Sequence, residues 1–227
     1  MKISLAFDVH GTLVDASKIL EPLEDAVGDI AFDMLQTWKY KQREYAFRRR
    51  LMENDVDFSV CSKQALDFSC LYHKVTLSNK QKDGILDFSK RLPAFPEVKK
   101  ALESLKDLQF RLFAFSNGPQ NDVRLLLKNA GLAPLFDNIY SVEGTKTFKP
   151  DPAVYESFLR YNHTGHQFTW FISGNSFDII GAKNVGLKVI WVQRSPEIIL
   201  DPWGIEPDQV VKDLTGLLPI FEQKVKS

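Results

Sequence analysis

Apolar and polar positions along this chain fall into two regimes. Residues 3–7, 110–115, 139–141, 168–172 and 188–192 are short, largely apolar runs, most of them closed by a polar residue or a glycine. Runs of that length without strict alternation predict strands of a parallel sheet covered by helices on both faces. From residue 94 onward they alternate with helical patterns. Pro96, Pro119 and Pro152 each suit a first helical turn, Gly131 suits a helix end, and a further helix starts near Ser176. The alternation predicts an α/β domain with a Rossmann-like parallel sheet, completed by 209–211 and a helix from about Leu214.

Residues 14–93 break the rhythm with long helical patterns poor in β-branched residues. The longest predicted helix, 28–52, places Leu35, Lys39, Gln42 and Ala46 on one face, so Lys39 sits on a mixed rather than a solvated surface. Trp38 and Tyr45, seven apart, form a neighbouring stripe that reads as packing. Two more helices are predicted over 59–73 and 78–91, the second opened by Ser78 as N-cap, and Phe58 stands at the entrance to the first. The chain therefore divides into a core of residues 1–13 and 94–227 and a helical cap domain inserted at 14–93.

Composition narrows the function classes. With 227 residues and 44% apolar content the chain can bury such a core and its insertion. Its 29 basic and 29 acidic residues cancel, so no global field draws it to nucleic acid or to an acidic membrane, and Arg48-Arg49-Arg50 reads as a solvated helix end. No apolar window is long enough to span a bilayer, and the chain opens on a strand; a cytoplasmic enzyme is expected. Cys61 and Cys70 lie nine apart in a predicted helix, about 13 Å along its axis, too far to bridge. His163 and His166 lack the thiol or carboxylate pattern of a metal site and read as surface residues, as does His73.

The chemistry gathers where strands end. The strand 3–7 runs into Asp8-Val9-His10-Gly11-Thr12-Leu13, which sets a carboxylate, a flexible turn and a hydroxyl at the sheet's carboxyl edge, where ligands bind in open α/β sheets. Three later segments bring polar residues to the same edge: Ser116 with Asn117, Lys149 ahead of Pro150, and Ser173 with Asn175 and Asp178. Read alone, Asp8 is equally a turn aspartate and Lys149 a surface lysine; the shared edge is what joins them.

These four segments resemble the motifs of the haloacid dehalogenase superfamily, and specifically of its type II L-2-haloacid dehalogenases. The matching stretches are Asp8-Val9-His10-Gly11-Thr12, Ser116-Asn117-Gly118, Lys149-Pro150-Asp151-Pro152 with Tyr155, and Ser173-Gly174-Asn175-Ser176-Phe177-Asp178; the stretch 38–45 is similar to the dehalogenase cap helix. The superfamily's phosphatases carry a second aspartate two places after the nucleophile, as acid for an alkoxide leaving group, and an aspartate ligating Mg²⁺. Here those positions are His10 and Gly174. A halide leaves without a proton, so neither group is needed and no cofactor or metal is expected.

The resemblance implies that Asp8 displaces halide from a short L-2-haloacid with inversion, forming an ester, and that water then attacks the Asp8 carbonyl to release a 2-hydroxy acid. It implies that Lys149 keeps Asp8 ionised, that Asp178 with Ser173 and Asn175 positions and activates the water, and that Ser116 holds the substrate carboxylate. Thr12 and Tyr155 would order the nucleophile and the lysine. His10, Tyr40, Phe58, Asn117 and Phe177 match pocket positions, and a homodimer is expected. Two positions depart from the type II pattern: His10 replaces a tyrosine, and Lys39 replaces an arginine beside the departing halide, with a less fixed geometry. Other readings are a phosphatase or another hydrolase of electrophilic carboxylic acids on the same fold, and a non-catalytic binding protein.

Overall fold

The computed structural model describes residues 2–226. A six-stranded sheet runs in the order β3-β2-β1-β4-β5-β6, with every neighbouring pair parallel. Its strands are β1 (Ser4–Asp8), β2 (Arg111–Ser116), β3 (Asn138–Ser141), β4 (Thr169–Ser173), β5 (Lys188–Val192) and β6 (Gln209–Val211). This is the α/β fold expected from the strand and helix alternation. The chain builds outward from β1 on one side, then crosses to continue on the other, so the carboxyl end of β1 lies at the switch of strand order where a crevice opens.

Alternate residues of the central strands feed two apolar clusters. Leu5, Phe7, Leu112, Ala114, Trp170 and Ile172 belong to one, which continues into the helices that follow β1. Ala6, Phe113, Phe115 and Phe171 belong to the other. There the ring of Phe115 stacks on Phe158 at 4.9 Å and meets Phe171 and Tyr155 edge-on. Truncating Phe115 to alanine would cost about 3–5 kcal/mol, and the same ring lies 5.3 Å from Lys149 Nζ.

The first excursion from the sheet is entirely helical: α1 (Leu20–Val27), α2 (Ala31–Leu51), α3 (Phe58–Tyr72) and α4 (Asn79–Phe88). Ser78 and Gln81 form a capping box at the start of α4, and Trp38 is buried as its stripe predicted. The chain leaves and returns through one narrow neck, where Asp15 N–H donates to the Pro93 carbonyl at 2.8 Å and Phe95 N–H to that of Leu13 at 3.1 Å. That neck explains one shifted boundary. Phe95 is tied to it, so the next helix, α5 (Val98–Asp107), starts two residues after Pro96.

The remaining helices, α6 (Gln120–Asn129), α7 (Pro152–Tyr161), α8 (Ser176–Asn184) and α9 (Leu217–Lys226), return the chain between strands or close its edge. Cys61 and Cys70 are both free and buried within α3. Among the described residues no helix is long and apolar enough to cross a membrane.

Candidate active site

Each polar residue at the crevice is delivered by the end of an apolar strand or the start of the helix after it. Asp8 is the last residue of β1, and the tight turn behind it uses Gly11 at φ +80° with Leu13 and Val14 N–H both donating to the Val9 carbonyl. The turn folds Thr12 back under Asp8, where its hydroxyl donates to Oδ2 at 2.8 Å and accepts from Gly174 N–H at 2.9 Å. Asn175 Nδ2 donates to the same Oδ2 at 2.8 Å and to the His10 carbonyl at 3.2 Å.

Lys149 closes the network from the other side. It is 1% exposed, and its Nζ lies 2.8 Å from Asp8 Oδ1 and 2.8 Å from Asp178 Oδ2. Its Nζ also lies 5.3 and 5.5 Å from the ring centroids of Phe115 and Phe171. Asn117 Oδ1 accepts from Lys149 N–H at 2.9 Å, fixing the start of the loop. Asp178, in the first turn of α8, also accepts from Tyr155 Oη at 3.2 Å and Ser173 Oγ at 3.3 Å; Ser173 Oγ in turn accepts from Asn175 N–H at 3.0 Å.

Three charges are thus buried together, two carboxylates sharing one cation. Burial pushes the Asp178 carboxyl up, against the pull of Lys149, to about 6. Burial would lower the Lys149 ammonium, but Asp178 and Asp8 outweigh it and hold it above its ordinary value. Burial also raises the Tyr155 phenol well above its usual range, with Asp178 adding to the effect, so Tyr155 remains a donor. Removing either partner of such a buried pair is strongly destabilising.

Asp8, Thr12, Lys149, Tyr155, Ser173, Asn175 and Asp178 therefore form one hydrogen-bonded unit, with Asn117 attached through the backbone. Ser116, also buried, follows β2's Phe115 beside Asp8, and its Oγ accepts from Gly118 N–H at 3.1 Å. His10 is half-buried at the rim; burial lowers its imidazole, Asp8 opposes, and Lys149 and Lys39 reinforce the lowering. Lys39 reaches in from α2, with Nζ 3.4 Å from the Ala16 carbonyl. Phe177 meets Phe47 of α2 at 6.2 Å. Phe58 meets Phe148 at 5.6 Å and shares with Asn117 a cavity of about 190 Å³. Tyr40 is placed differently: it is 60% exposed, one residue past Lys39 and so turned off that face of α2, with Lys41 5.7 Å from its ring centroid.

Residues 5–192 match the family model described as haloacid dehalogenase-like hydrolase. The chain belongs to that family. It is 30% identical over 218 residues to the (S)-2-haloacid dehalogenase of Pseudomonas sp. (strain YL), covering 96% of this chain and 94% of that protein. It is likewise 30% identical over 218 residues to haloacetate dehalogenase H-2 of Moraxella sp. (strain B), covering 96% and 97%. Among solved structures it is similar to the L-2-haloacid dehalogenase from Xanthobacter autotrophicus with chloropropionic acid covalently bound, at TM-score 0.90, 26% identity and coverage of 98% and 99%.

In this haloacid dehalogenase-like hydrolase three supporting residues were not apparent from the strand-end pattern. Gly181, within α8, has no room for a side chain, since a Cβ would come 2.5 Å from Pro150 Cβ and 2.7 Å from Tyr155 Oη. Its bareness lets α8 press Asp178 against Lys149 and Tyr155, and a glycine inside a helical pattern was the available signal. A Cβ at Gly174 would come 2.7 Å from the Gly11 carbonyl oxygen, so the turns after β1 and β4 touch there. Arg194, just past β5, donates to the Thr12 carbonyl at 2.6 Å, faces Glu97 at 2.9 Å and lies 3.5 Å over the Phe95 ring. It braces the Asp8 turn against the neck, and no sequence pattern pointed to it.

Proposed function

We propose that this chain hydrolyses short L-2-haloalkanoic acids to 2-hydroxy acids without a metal, through an ester on Asp8. The observation that carries the proposal is the Asp8–Lys149–Asp178 arrangement, a carboxylate at the switch of strand order whose other contacts, Thr12 and Asn175, are neutral donors. Asp8 oxygen attacks the halogen-bearing carbon; the C–O bond forms as the carbon–halogen bond breaks, and the halide takes the electron pair. Water then adds to the Asp8 carbonyl carbon and gives a proton to Asp178; the bond from that carbon to the substrate oxygen breaks, the departing oxygen takes the proton of the added hydroxyl, and the hydroxy acid and the Asp8 carboxylate are freed. Ser173 and Asn175 orient that water, Ser116 takes the substrate carboxylate, and Lys39 stands by the departing halide. His10, Phe58, Asn117 and Phe177 line the pocket.

Residues 14–93 act as the cap over a core of 1–13 and 94–227, an assignment supported by the two-strand neck at 13–15 and 93–95. The exposed apolar side chains of α2 and α3, among them Tyr40, Leu51, Leu71 and Tyr72, support packing against a second copy, and two unpaired thiols support a cytoplasmic protein.

A Mg²⁺-dependent phosphatase fits the residues poorly. Position 174, where the metal-ligating aspartate would stand, cannot take even a Cβ without moving the Gly11 backbone, and both Asp8 oxygens already accept from Lys149, Thr12 and Asn175. The test is halide release from L-2-chloropropionate in EDTA, beside phosphate release from p-nitrophenyl phosphate with Mg²⁺. Halide release that survives EDTA supports the proposal; phosphate release alone overturns it.

A further inference from the structure

Lys39, Arg43 and Phe47 are spaced by four along α2 and so share one face. The outer two already have their contacts across the cleft. Lys39 reaches the Ala16 carbonyl in the segment after the Asp8 turn, and Phe47 meets Phe177 at the start of α8. Arg43 lies between them on the same face, so its spacing turns it toward the ground bounded by Ala16 and Phe177.

The charges around Arg43 agree with that placement. Burial lowers the Lys39 ammonium and Arg43 lowers it further; burial likewise lowers the Arg43 guanidinium, opposed by Asp201, whose carboxylate accepts from Ser176 Oγ at 2.8 Å. Arg43 is nevertheless open to solvent and so accessible to an anion.

Of the other cations of α2, Lys41 and Arg48 pair with Glu44 and Arg50 with Asp151, while Arg49 donates to the side-chain amides of Asn54 and Gln64. Among the described residues no carboxylate comes within 4.0 Å of Lys39 or Arg43. A monocarboxylic haloacid gives Ser116 its carboxylate and Lys39 its halide, and leaves Arg43 without an anion. A planar guanidinium matches a carboxylate through two parallel hydrogen bonds.

We propose that Arg43 is a specificity-determining residue and that the substrate is a 2-haloacid bearing a second carboxylate, which Arg43 binds at the mouth of the cleft. The proposal rests on the dehalogenase reading and narrows it to 2-halodicarboxylates. The reaction balances as before: halodicarboxylate and water give hydroxydicarboxylate, halide and a proton, with the second carboxylate unchanged.

The test is kcat and KM for L-2-chlorosuccinate and L-2-chloropropionate, by halide release, in the wild type, Arg43→Met and Arg43→Lys. The wild type favours chlorosuccinate in kcat/KM by about tenfold or more, and Arg43→Met lowers that ratio by about tenfold or more, mainly through KM. Arg43→Lys, which keeps the charge but not the paired geometry, gives an intermediate ratio. A ratio that Arg43→Met leaves in place, whether both substrates slow together or neither does, overturns the proposal. Turnover of chloropropionate without chlorosuccinate overturns it while leaving the dehalogenase reading intact; halide from neither substrate removes both.

Discussion

Lys149 Nζ stands 2.8 Å from Asp178 Oδ2 and 2.8 Å from Asp8 Oδ1, so one buried ammonium bridges the carboxylate proposed to attack carbon and the one proposed to activate water. The pair is geometrically possible because Lys149 comes from the loop after β3 and Asp178 from the helix after β4, and β1, carrying Asp8, lies between β2 and β4 in the sheet.

Replacing Lys149 with methionine leaves two buried carboxylates without their cation. The expected loss is about 3–5 kcal/mol of stability at pH 7.5, together with all measurable halide release. The loss shrinks on acidification to pH 5, because protonating a carboxyl removes the repulsion that the lysine had offset. Thermal unfolding at the two pH values checks this; an equal loss at both would contradict the charge argument.

Asp178 holds its proton up to about 6 in the folded chain, against an ordinary 3.8. The sign for stability is that acid favours the folded state through this group, a contribution present below 3.8 and lost as pH rises through about 6. The sign for chemistry is opposite, since a base must be ionised. Esterification removes the Asp8 charge that helps to raise Asp178, so hydrolysis of the Asp8 ester, followed in a single turnover, should fall with acid only at a pH below about 6, and Asp178→Asn should trap the ester. An Asp178→Asn variant that hydrolyses the ester as fast as the wild type would remove Asp178 as the base.

Gly181→Ala tests whether close approach of α8 sets the site. The added methyl must displace Pro150 or Tyr155, so α8 retreats and carries Asp178 with it. We expect about 1–3 kcal/mol of destabilisation and a fall in kcat of roughly a hundredfold. Gly84→Ala in α4, where a Cβ meets nothing within 4 Å, should instead stabilise by about 0.4–1 kcal/mol. Unfolding curves and kcat for the two variants separate the cases; a harmless Gly181→Ala would show that the helix has slack.

Much of this arrangement is legible in the sequence because each strand announces its own end. Lys188–Val192 is a strand over the residues its apolar run predicted, and Asp8, Ser116 and Ser173 each close a run of the same kind. Helix starts are less well marked: Pro96 signals a first turn, but the hydrogen bond tying Phe95 to Leu13 delays α5 to Val98. Residues that act by proximity across the fold are fainter still. A glycine at 181 or an arginine at 194 becomes informative only when Pro150 and Tyr155, or Thr12 and Phe95, are seen beside it. Arg43 is similar: its spacing from Lys39 is visible along α2, whereas the lack of a described carboxylate within 4.0 Å of it is a property of the folded surroundings.

The central claim is that Asp8 carries the ester, and isotope placement tests it most directly. Enzyme in excess over L-2-chloropropionate is turned over once in H₂¹⁸O, and the peptide containing Asp8 is weighed by mass spectrometry. Attack of water on the Asp8 carbonyl predicts ¹⁸O in the Asp8 carboxylate and a first-turnover hydroxy acid free of the label. Label found in the product and absent from Asp8 would mean that water attacks the substrate carbon directly, and would contradict the covalent mechanism.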